Sequence, residues 1–230
     1  MSHQLSTLRR RTAVAILAIV SLLASAALLA QVAPRDPSRW EPNIKAFEEQ
    51  DRRNPPPSGG IVFVGASSIV RWNLAEFFPD LNVLNRGFGG SEMADTAHFA
   101  ERTVLPYKPR MVVLYPGEND IARGVSPEDV AAGFERFVTT VQGALPKPRI
   151  LVIGLKPTPA RWRFNDQMLD TNRRLHAIAA SHEGITYIGV EKAMLGADKL
   201  PRPDLFIEDG QHMTKAGYEI WTEIVRPHLN

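Results

Sequence analysis

Five short apolar runs, Ile61–Val64, Val83–Leu84, Met111–Tyr115, Ile150–Ile153 and Ile185–Ile188, constrain this chain more than any other feature. A strand with one wet face alternates apolar and polar residues. These runs lack that alternation, which suits strands covered on both faces of a parallel sheet. Helical patterns fill the intervals. Ser126-Pro127-Glu128-Asp129 is a helix start, with a serine cap, proline in the first turn and acids at the positive end of the dipole. Val130, Phe134, Phe137, Val138, Val141 and Leu145 then share one helical face. A surface helix is expected over Trp40–Arg53, stopped by the breaker Asn54–Gly60, and another from Asn165 or Asp166 through Ala180. Thr214 caps a last helix running towards Leu229. Five strands alternating with helices imply a three-layer α/β/α sandwich around a five-stranded parallel sheet, wound right-handedly. In such sheets the ligand site lies beyond the carboxyl ends of the strands.

Residues 1–33 read as a targeting segment and 34–230 as the folded body. Arg9-Arg10-Arg11 precedes Ala13–Ala30, an uncharged run rich in Ala, Leu, Ile and Val. A basic flank before an apolar run marks export, to the periplasm or the exterior. The run exceeds the ~7–15 residues of a signal-peptide core. It touches the ~18 residues of a spanning helix. A cleaved signal and a membrane anchor at 13–30 therefore both fit, with Ala24-Ser25-Ala26 as a small-residue cleavage site inside the run. Without the three arginines, 24 of the 27 basic residues remain against 25 acidic ones. So neutral a body argues against nucleic-acid binding. The absence of cysteine excludes disulfides, thiolate metal ligands and a cysteine nucleophile.

Four motifs stand at the ends of the expected strands or before the last helix. Gly65-Ala66-Ser67-Ser68 follows the first run, where a serine hydroxyl can be presented at the sheet edge, or a phosphate cradled. Asn85-Arg86-Gly87-Phe88-Gly89-Gly90-Ser91 follows the second; it is a plain turn or a loop that aims a backbone N–H at an anion, and it is not a dinucleotide fingerprint. Gly117-Glu118-Asn119-Asp120 follows the third, a turn in which Asn119 offers an amide donor. Asp209-Gly210-Gln211-His212 lets a carboxylate accept from one imidazole nitrogen while the other faces outward, the base-and-orienter half of a serine hydrolase triad. His98, which also has a carboxylate three residues before it in Asp95, sits with His176 and His182 on expected helices; His228 is at the tail and His3 lies in the targeting segment.

Taken in order, these motifs resemble the blocks of the SGNH hydrolase superfamily, the GDSL esterases and lipases, over about Ile61–Leu229. The one departure is Gly-Ala-Ser where the family has Gly-Asp-Ser. The resemblance implies the flavodoxin-like fold of that superfamily and a carboxylic ester hydrolase that needs no cofactor. It also implies Ser67 as nucleophile, His212 as base, Asp209 as its orienter, and an oxyanion hole of the Ser67 and Gly90 backbone N–H groups with the Asn119 amide. The expected partner is a small-molecule ester, free or carbohydrate-linked. Thioesterase or lysophospholipase activity, or a binding module that kept the fold, are the alternatives. Trp72 and Trp162 would suit stacking on sugar rings, or else pack in the core or under a lid.

Overall fold

The computed structural model describes residues 32–230; the expected targeting segment, with its apolar run at 13–30, lies outside the described residues. Among those described, no helix is long and apolar enough to cross a membrane. Five strands, β1 (Ile61–Gly65), β2 (Val83–Gly87), β3 (Met111–Tyr115), β4 (Arg149–Ile153) and β5 (Ile185–Ile188), form one sheet in the order β2-β1-β3-β4-β5. Every pairing is parallel. Four long helices accompany them: α1 (Glu41–Arg53), α2 (Pro127–Ala144), α3 (Asn165–Ser181) and α4 (Lys215–Val225).

The strand pattern now has its cause. Successive side chains of a strand point to opposite faces. Ile61, Phe63, Met111, Val113, Tyr115, Leu151 and Ile153 pack on one side, with Tyr218, Trp221 and Val225 of α4. Val62, Val64, Val112, Leu114, Ile150 and Val152 pack on the other, with Phe134 and Phe137 of α2 and Leu175 of α3. Both faces are covered at the central strands β1 and β3, every residue of which is buried, so a polar residue there would carry a cost. Each fully buried large side chain contributes about 1.5–3 kcal/mol of transfer free energy. The expected face of α2 is buried from Val130 through Val141. Ser126 Oγ accepts from the Asp129 N–H at 3.1 Å, and Thr214 caps α4 through the Gly217 N–H.

Three boundaries differ from expectation. β2 continues through Asn85, Arg86 and Gly87, because Arg86 is buried and its Nε donates to Tyr107 Oη at 2.7 Å. The helix expected from Trp40 starts at Glu41, and Trp40 instead closes a short 3₁₀ turn, Pro37–Trp40, capped by Asp36. The last helix ends at Val225 and continues as a 3₁₀ turn over Arg226–His228, where Pro227 cannot donate to the helix ladder.

Candidate active site

The carboxyl end of β1 is where the chain must turn hardest. Gly65 sits at φ +140°, and a Cβ there would lie 2.4 Å from the Tyr115 carbonyl oxygen. Only glycine fits. Ser67 then opens a single helical turn, Ser67–Val70, whose cap position holds Ala66 without a side-chain hydrogen bond. Alanine has no side-chain acceptor to offer there. The Gly65 carbonyl accepts from the Phe88 N–H at 2.9 Å, which docks the loop after β2 beside the serine. A Cβ on Gly89 would lie 4.0 Å from Ser67 Cβ. Gly90 follows at φ +85°, with the Trp40 ring 3.5 Å from where its Cβ would be.

After β3, Asn119 and Asp120 hold this loop from the other side. Asn119 Nδ2 donates to the Ser91 carbonyl at 3.0 Å. Both carboxylate oxygens of Asp120 accept from the Met93 N–H at 3.0 Å.

The histidine arrives from far along the chain. The Ile207 N–H donates to the His212 carbonyl, the Gly210 N–H to the Ile207 carbonyl, and Phe206 bridges Met213. Inside that tight loop Asp209 divides its carboxylate. Oδ1 accepts from the backbone N–H groups of Gln211 and His212, each at 2.9 Å, while Oδ2 lies 2.6 Å from His212 Nδ1. Burial pushes the Asp209 carboxyl up, but the His212 ring and the two backbone donors outweigh it and hold the carboxyl well below its ordinary range. His212 Nε2 then lies 3.0 Å from Ser67 Oγ. A chain of contacts so ordered can take a proton from the hydroxyl onto the imidazole and support the resulting cation.

The structure thus brings Ser67, His212 and Asp209 into one file, and Gly90 and Asn119 into the neighbouring loops. The other histidines go elsewhere: His176 meets Tyr187 edge-on and His182 Nδ1 lies 3.0 Å from the Ile178 carbonyl. Trp72 is a core residue, 1% exposed, packed with Phe63, Phe78, Tyr218 and Trp221, so it offers no face to a sugar. Trp162 is half-buried on the 3₁₀ turn Pro159–Phe164.

Three charged residues to which the motifs assign no role lie beneath the site. Lys156 is fully buried, its Nζ 2.5 Å from Glu118 Oε2, 3.0 Å from Ser68 Oγ and 3.3 Å from Tyr115 Oη. Arg161 Nη2 donates to Asn119 Oδ1 at 2.9 Å. Its Nη1 lies 3.1 Å from Glu118 Oε1, a charge contact not aligned as a hydrogen bond. Burial pushes the Glu118 carboxyl up, but the two cations beside it prevail and hold it below its ordinary value. Burial draws the Lys156 ammonium down. A lysine ahead of a Pro-Thr-Pro segment reads as a loop residue, so nothing in the pattern betrayed it.

A model of the GDSL-like Lipase/Acylhydrolase family matches residues 64–220. The alpha1 subunit of platelet-activating factor acetylhydrolase IB from Bos taurus is 26% identical over 168 residues, 69% of this chain and 69% of that protein. Among solved structures, a GDSL-like lipase from Bacteroides thetaiotaomicron superposes with a TM-score of 0.69 at 20% identity, covering 81% of this chain and 97% of its own. A catalytic mutant of an acetylxylan esterase from Geobacillus stearothermophilus gives 0.61 at 17% identity, covering 76% of this chain and 95% of its own. At these identities the two structures speak to the fold alone.

Proposed function

The chain belongs to the GDSL-like lipase/acylhydrolase family and is a carboxylic ester hydrolase, and we propose that it works through a Ser67–His212–Asp209 triad and an acyl-enzyme. The single observation that carries this is the continuous file from Ser67 Oγ to His212 Nε2 at 3.0 Å and from His212 Nδ1 to Asp209 Oδ2 at 2.6 Å. Ser67 Oγ attacks the ester carbonyl carbon as its proton passes to His212 Nε2. The carbonyl oxygen becomes an oxyanion, met by the backbone N–H groups of Ser67 and Gly90 and the Asn119 amide. The intermediate collapses, and the leaving alkoxide takes the proton from Nε2. Water then attacks the acyl-serine with Nε2 again as base, releasing the acid and restoring the hydroxyl. Asp209 stays ionised and holds the ring in the tautomer that leaves Nε2 free to accept.

For the substrate, we infer a short acyl group, acetyl in particular, on a small or carbohydrate-linked alcohol. The support is the relationship to proteins named as acetylhydrolases. The test uses purified protein on p-nitrophenyl esters of increasing acyl length and on acetylated saccharides. Acetate should be preferred, and Ser67→Ala should lower turnover by about 10⁴–10⁶ with the fold intact. Native turnover in that variant would remove Ser67 as nucleophile. Preference for long acyl chains would remove the acetyl assignment alone.

A further inference from the structure

A carboxamide has a donor end and an acceptor end, and it aids an oxyanion only if its N–H end is held towards the reacting oxygen. At Asn119 both ends are engaged with opposite partners. Oδ1 accepts from Arg161 Nη2 at 2.9 Å, and one N–H of Nδ2 goes to the Ser91 carbonyl at 3.0 Å. Turning the amide over would set NH₂ against a guanidinium and oxygen against a carbonyl, so that orientation is excluded twice. One N–H remains for substrate. Taking Asn119 as an oxyanion donor, as the reading above does, we propose that Arg161, braced from beneath by Glu118 and Lys156, is a positioning residue that locks the Asn119 carboxamide with its second N–H turned to the acyl oxygen.

The cluster under Asn119 is costly in a way that stability does not explain. Each buried charge forfeits its hydration, and buried ion pairs can often be replaced by apolar residues without loss. Here Lys156 is fully buried, the side chain of Glu118 is 6% exposed and that of Arg161 15%. Two basic side chains face one carboxylate below the loops that carry Ser67 and Asn119. The geometry is equally directed. Arg161 is set by Thr158, whose hydroxyl accepts its backbone N–H at 3.2 Å. Its guanidinium reaches two partners at once, which a lysine ammonium does not do with the same planar fork. The preceding Ala160 N–H donates to the Gly210 carbonyl at 3.0 Å. One short segment after β4 therefore grips both the Asn119 amide and the loop that carries His212.

The test is a double-mutant cycle on ester hydrolysis by the full chain: native, Asn119→Ala, Arg161→Met and the pair. Asn119→Ala should cost about 10²–10³ in kcat as one donor lost. Arg161→Met should cost about 10²-fold in kcat with KM nearly unchanged, the scale of a misplaced catalytic group. Acting through Asn119, it should add no more than about two-fold in the Asn119→Ala background. A double variant that loses the product of the two single effects would overturn the positioning role while leaving the oxyanion reading intact. An Asn119→Ala variant with native kcat would remove the donor assignment and this proposal with it. Should Arg161→Met fail to fold, Arg161→Lys keeps a cation against Glu118. It should melt near the native temperature yet lose kcat, and native kcat there would refute the proposal.

Discussion

At the scale of single residues, the site depends on side chains whose two polar ends are assigned to different tasks. Asp209 gives one oxygen to the backbone of its own turn and the other to the His212 ring. That division needs three residues of spacing within a tight turn; Asp95 and His98 share the spacing but lie on one short helix. Ser67 and Asn119 stand just past strand ends that the apolar runs mark, whereas the expectation for Gly90 rests on the family resemblance alone. Lys156, Glu118 and Arg161 were not legible in the sequence, because burial of a charge is a tertiary fact that composition conceals. Asp120 is a further case. Burial, with Glu92 and Asp95 nearby, pushes its carboxyl up to about 7. The folded state therefore binds this proton more tightly than the unfolded chain. Stability from this group falls as pH rises from about 4 to about 7, and levels off above. In Asp120→Asn that slope should be absent, measured as unfolding midpoint against pH. An unchanged slope would mean that Asp120 is ionised across the range.

At the scale of elements, the turn between β1 and the Ser67 helix is the most exacting. The φ of +140° and the 2.4 Å approach to the Tyr115 carbonyl leave no room for a side chain at Gly65. Gly65→Ala should cost at least about 1–3 kcal/mol from backbone strain. It should also lower kcat, because Ser67 shifts with the turn. Chemical denaturation and ester hydrolysis read the two effects separately, and native values in both would show that the turn accommodates a side chain. Strands were readable where apolar residues run unbroken. The end of β2 escaped because Asn85 and Arg86 are polar residues satisfied within the fold, Asn85 by the Ile69 carbonyl and Arg86 by Tyr107. Periodicity sees polarity and not its partner.

At the scale of the whole molecule, the sheet brings residues 145 positions apart into contact at one rim. The crossover rule for parallel strands made that rim foreseeable. The lateral brace from Ala160 and Arg161 was not, since it joins loops through contacts that carry no sequence period. The central claim is that Ser67 alone is made nucleophilic, and that His212 makes it so. Its most direct test is labelling of the native protein with a serine-directed organophosphonate, followed by peptide mass spectrometry. The account predicts one adduct, on Ser67, which is lost in His212→Ala while that variant keeps its native unfolding midpoint. An adduct on another serine, or undiminished labelling without His212, would contradict it.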